Sequence, residues 1–172
     1  MKKVLPPILL ILLISAFLIW GYQFVSSVNT ADPAALTAYI SKQNNLSDVT
    51  VLKTAQQGDF YCALYSDGYS DQLIILKKSL LSGRYTAFGG GHTSSGFGTY
   101  NYSEPNTWTL IVVYGNNQAL RAHSYAFLSG GKQYAKENLK EYVLDIYVIQ
   151  NIEAISEKGI LFDESGNEVG SF

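Results

Sequence analysis

One cysteine, one methionine, four prolines and two histidines stand among 172 residues, and only 15% of the side chains are charged. A single cysteine, Cys62, excludes a disulfide within the chain, so the fold must rest on apolar burial alone. It sits in Phe60-Tyr61-Cys62-Ala63-Leu64-Tyr65, where a small buried side chain is the natural reading of a thiol. His92, His123 and one cysteine fall short of the three or four ligands that zinc takes, so no metal and no cofactor is expected. A Walker lysine and a Gly-x-Ser-x-Gly turn are both missing, which leaves phosphate cradling and serine hydrolysis without their usual scaffolds. Basic residues are scarce as well: 12 against 14 acidic ones. That balance lacks the positive patch that nucleic acid requires.

What is present begins with an apolar run, VLPPILLILLISAFLIWGYQFV, from Val4 to Val25, preceded by Lys2 and Lys3 and followed by no basic residue until Lys42. A signal-peptide core of roughly 7 to 15 residues is shorter than this run, which approaches the ~20 residues of a bilayer span. Trp20, Tyr22 and Phe24 fall where an interfacial aromatic belt belongs. Residues 1–25 are therefore expected to be a transmembrane anchor that contacts the lipid bilayer through residues 4–25, with a cytoplasmic amino end. A cleaved signal is the alternative. Residues 26–31 would form a tether, and residues 32–172 a single extracytoplasmic domain.

Within that domain Asp32-Pro33 has the grammar of a helix start, an acceptor side chain followed by proline in the first turn. Leu36, Tyr39 and Ile40 follow at helical spacing, and Asn44-Asn45 can close the helix in a left-handed conformation. Short β-rich runs come next: Asp48 to Thr54, Phe60 to Tyr65, Leu73 to Lys77, Arg84 to Phe88, Thr107 to Tyr114, Ala119 to Leu128 and Tyr142 to Ile149. The turns between them are too short for crossover helices, so neighbouring strands should pair antiparallel. Only Lys132 to Lys140 offers a second helix. Ile160 to Val169 reads as a last hairpin.

Trp108 to Tyr114 and Tyr142 to Ile149 are apolar on both faces, which a half-solvated sheet would not be. The expectation is an α+β domain in which a short helix packs on a curved antiparallel β-sheet, with a small β-sandwich or partly closed β-barrel as the alternative.

Five glycines occur between Gly89 and Gly98, and no helix pattern follows them. This stretch reads as a long hairpin connection, and functionally as a flap over a pocket. Phe97, Tyr100 and Tyr102 give the flap aromatic contacts, and His92 gives it a titratable group. His123, on a face with Arg121, Tyr125 and Phe127, is the other candidate. The acidic turns Asp67 to Asp71 and Asp163 to Glu168 lack the spacing of a calcium loop and suit backbone turns. Thirteen tyrosines fit half-buried strands and recognition surfaces alike.

The layout resembles that of small, singly anchored bacterial envelope proteins. That resemblance concerns layout only; the anchor, the aromatic-rich sheet and the lack of a catalytic set together lead to the expectation of a single-pass cell-membrane protein whose outward domain binds an envelope protein, a peptide or a cell-wall polymer through His92, Phe97, Tyr100, Tyr102 and His123, with no catalytic residue assigned. The alternative is an envelope hydrolase acting on glycan or peptide, with His92 or His123 as acid or base.

Overall fold

The computed structural model describes residues 7–93, 96–150 and 158–172. A first helix, α1 (Pro7–Val25), precedes a second, α2 (Pro33–Asn44). Eleven strands follow: β1 (Thr50–Gln57), β2 (Phe60–Ser66), β3 (Asp71–Lys78), β4 (Tyr85–His92), β5 (Phe97–Glu104), β6 (Trp108–Asn116), β7 (Ser124–Ser129), β8 (Lys132–Glu137), β9 (Tyr142–Gln150), β10 (Ile160–Phe162) and β11 (Glu168–Ser171). They form three antiparallel sheets, ordered β1-β2-β3-β4, β5-β6-β9 and β11-β10-β7-β8.

These sheets stack, and α2 caps the stack. Leu36 and Ile40 of α2 pack on Ala63, Tyr65, Ile74 and Leu76, which share one face of the first sheet. Its other face, with Phe60, Cys62, Leu64, Leu73 and Ile75, meets Leu110, Val112, Tyr114 and Leu144 of the second sheet. The opposite side chains of that second sheet, Ile111, Val113, Val143 and Ile149, pack on Tyr125, Phe127 and Leu161 of the third. Two apolar faces on β6 and β9 thus have two covers. The chain is mostly β, and the sandwich describes it better than one curved sheet: the middle strands are covered by sheets on both sides, while the helix covers the outer face of the first.

Local chemistry explains the ends of α2. Asp32 caps it by accepting from the Ala34 and Ala35 N–H groups at 3.0 and 3.2 Å, and Asn45 closes it at φ 54°, as the sequence predicts. Other expectations are corrected. Lys132 to Glu137 is strand β8, because Tyr134 and its neighbours pair with β7. The glycine stretch is no flap: Gly89 to His92 continue β4, Phe97 and Gly98 begin β5, and Ser94 and Ser95 lie outside the described residues. Close approach is the reason for the glycines. A Cβ on Gly89 would lie 2.4 Å from Tyr100 Oη, one on Gly91 2.6 Å from Tyr114 Oη, and one on Gly90 2.4 Å from the Leu73 carbonyl oxygen. Tyrosine rings lie across this strand, and only hydrogen fits beneath them.

Among the described residues no helix is long and apolar enough to cross a membrane, so the expected transmembrane helix is not shown by the structure. Residues 1–6, of which 4–6 belong to the apolar run, lie outside the described residues. What is seen of α1 is apolar and exposed all round, with Leu10, Phe17 and Val25 at 55%, 69% and 77%. The segment expected as a tether is held at its middle: Ser27 and Val28 are buried, and Val28 exchanges both backbone hydrogen bonds with Tyr85 at 2.8 and 3.0 Å.

Candidate functional site

The sequence candidates do not converge. Phe97 is buried at 2% exposure between the second and third sheets, 6.1 Å from the Phe172 ring centroid. Its role is structural. Tyr100 is half-buried against Gly89, and burial pushes its hydroxyl pKa up. Tyr102 remains on the surface, where its hydroxyl donates to Glu104 at 3.0 Å. His92 ends β4, exposed, beside a cleft of about 450 Å³ between α2 and the first sheet. Its carbonyl accepts from Tyr114 Oη at 3.3 Å. His123 lines a different cleft altogether.

That second cleft, about 770 Å³, is formed by the loop between β6 and β7, the residues before β9 and the β10–β11 turn. His123 sits ahead of β7 rather than within a strand, its N–H donating to the Phe162 carbonyl at 2.7 Å. Asn117 organises the loop. Its buried amide accepts from the Ala122 N–H and donates to the Ala122 carbonyl, both at 2.8 Å, as a paired strand would. This clasp holds Arg121 at φ 50°, a conformation that costs a residue with a Cβ roughly 1–2 kcal/mol. The loop therefore presents Arg121 and His123 on a fixed backbone.

Charges in the cleft are of both signs. Glu141 accepts from the Gln118 amide. Asp163 accepts from Asn167 Nδ2 at 3.1 Å and from the Asn167 and Ser165 N–H groups at 2.8 and 2.9 Å, and these bonds, the Asn167 side chain first, hold its carboxyl below the usual range. Glu164, Arg121 and Lys140 also line it. Among the described residues neither cation forms an ion pair; the one such pair joins Lys136 to Asp145. Of the three carboxylates that line the cleft, Glu141 and Asp163 are thus engaged and Glu164 is not, while Arg121 and Lys140 have no acidic partner among the described residues.

A separate polar cluster lies between the second and third sheets. The Tyr125 hydroxyl meets Asp145 Oδ2 at 2.9 Å and Tyr147 Oη at 2.6 Å, and burial pushes the pKa of both tyrosines up. Every member has a partner, so the cluster satisfies its own polar atoms and locks the two sheets together.

A third group is aromatic. Phe60, Phe88, Tyr102 and Trp108 pack with centroids 4.9 to 5.5 Å apart around the group. Lys77 Nζ lies 5.0 Å from the Trp108 centroid and 5.5 Å from that of Phe88. Phe88 reaches it because a bulge opposite Ile75 and Leu76 leaves that residue unpaired.

Sequence reading missed the cleft. Its lining comes from three turns about 20 residues apart, and only Arg121 beside His123 hinted at it. Asp67 and Asp163 behave as turn residues: Asp67 accepts from Ser70 and Tyr69 N–H at 2.8 and 2.9 Å. Comparison with protein families, curated proteins and solved structures finds no match.

Proposed function

We propose that the chain is a membrane-anchored, extracytoplasmic binding domain of the bacterial cell envelope, and that it holds an anionic group of a partner peptide, protein or wall polymer in the cleft between Arg121, His123 and Lys140. One observation carries this reading. Arg121, on the clasped loop, and Lys140, just ahead of β9, have no described acidic partner, and two of the three carboxylates beside them are already bonded. A ligand carboxylate or phosphate is what such a site lacks. The anchor reading is supported by the composition of α1 (Pro7–Val25): a helix apolar on every side suits lipid or a core.

The test is photo-crosslinking from Gln118 in intact cells carrying the full chain. A discrete adduct is expected, falling roughly tenfold in an Arg121→Ala/Lys140→Ala variant, the equivalent of about 1.4 kcal/mol. An adduct unchanged in that variant, with its thermal midpoint preserved, overturns the reading.

A hydrolase is the second reading, favoured by His123 sharing a cleft with Glu141 and Asp163. Asp163, held charged by its turn, would be the base-side carboxylate and His123 the proton donor. Full hydrolysis of envelope glycan or peptide by a His92→Ala/His123→Ala variant would dismiss it.

A further inference from the structure

The structure holds a second apolar feature besides α1. Leu80 is 99% exposed and Leu81 65% exposed, side by side at the tip of the β3–β4 hairpin. The tip is built rather than loose: Ser79 N–H donates to the Arg84 carbonyl at 2.8 Å, and Gly83 N–H to the Ser79 carbonyl at 3.0 Å. Lys78 and Arg84 bracket it. Arg84 Nη2 donates to the Ser27 carbonyl at 3.1 Å, and the next residue, Tyr85, is the partner of Val28. The hairpin is therefore bonded to the chain within three residues of the end of α1.

Register places the rest. Lys77 and Lys78 pair with Thr86 and Tyr85, while Gln72 at the other end of β3 pairs with His92. Trp108 pairs with Glu104, and Gly115 with Phe97. The Leu80–Leu81 tip thus shares one end of the sandwich with Trp108, Tyr102 and Lys77, whose contacts join the two sheets there. Asp59 and Glu104 are acidic side chains at that end among the described residues. The opposite end carries the turns of Asp67 and Asp71, and beyond β6 the cleft of Arg121 and His123.

We infer that this hairpin tip enters the headgroup layer of the bilayer that holds α1, giving the domain a second, interfacial contact with lipid. The inference rests on the anchor reading above. Two leucines bracketed by lysine and arginine, with tryptophan and tyrosine behind them, have the composition of an interfacial wedge: apolar side chains below the phosphates, cations at them. Two side chains are far too few for a protein interface, which needs about 1,000 Å². Lipid is the occupant that needs no larger surface. With the wedge seated, the domain has one orientation, and its charged cleft faces away from the membrane.

The experiment uses the full chain in phosphatidylglycerol–phosphatidylcholine vesicles, with an environment-sensitive fluorophore on Leu80→Cys and, separately, on Tyr69→Cys at the opposite end. Cys62 is fully buried and stays unlabelled in the folded protein. Nitroxide carried on the lipids should quench the label at position 80 several-fold and leave that at position 69 unchanged. If the protein floats with the vesicles but both labels are quenched alike or not at all, the wedge is wrong and the anchor stands. A blue-shifted but unquenched label at 80 means that protein covers the tip, a second copy or a partner, and overturns the inference. Failure to float overturns the anchor reading, and the inference with it.

Discussion

Asp67 and Asp163 each hold a turn with one carboxylate, and each is kept below the ordinary aspartate range by the hydrogen bonds it accepts, from the Ser70 N–H first in one case and from the Asn167 side chain first in the other. A carboxyl whose pKa is lower folded than unfolded binds fewer protons in the native state. Its contribution is present above the unfolded value of about 3.9 and is lost as pH falls through the folded one. Thermal unfolding should therefore show Asp67→Asn less stable than the parent at neutral pH, with the gap closing below about pH 4; a gap independent of pH would contradict the turn as the source. Cys62 shows the reverse direction, its thiol pushed up to about 12 by burial. Asp32, Asn45, Cys62 and both turn aspartates were legible in the sequence, because each answers a need set by its nearest neighbours in the chain.

Elements were legible where the pattern is local and hidden where it is not. Helix α2 and the strands around Phe60, Leu73, Trp108 and Tyr142 follow from apolar spacing, and β6 and β9 announced two covered faces. The ends of β4 and the start of β5 did not, since three consecutive glycines read as a loop until Tyr100 and Tyr114 are seen lying across them. A Cβ on Gly90 would meet the backbone of Leu73 rather than a side chain able to turn aside. Gly90→Ala should cost roughly 1–3 kcal/mol as an overpacked contact, measured by denaturant unfolding. A neutral substitution would mean that β3 and β4 separate there without penalty. Strand β8 was hidden for another reason: Lys132 to Glu137 is mostly exposed, so its pairing with β7, and not its own apolar content, makes it a strand.

At the scale of the molecule, β6 belongs to two cores at once. Leu110 faces the first sheet and Ile111 the third, and both are fully buried. Truncation of either to alanine should cost roughly 2–5 kcal/mol, and both variants should still unfold in a single transition, because neither outer sheet keeps its floor once the middle one goes. Two transitions in calorimetry would show that one of the flanking sheets stands by itself. The order of the layers could not be read from the sequence, which signals that a face is covered without naming its cover. The cleft of Arg121, His123 and Lys140 was beyond reach for the same cause, as it exists only where three separate turns meet. The two hydrogen bonds between Val28 and Tyr85 carry a last consequence. With two residues between the end of α1 and this pairing at the edge of the first sheet, any tilt or pull on the helix is delivered as shear along β4, so the domain is mechanically geared to α1 instead of swinging from it.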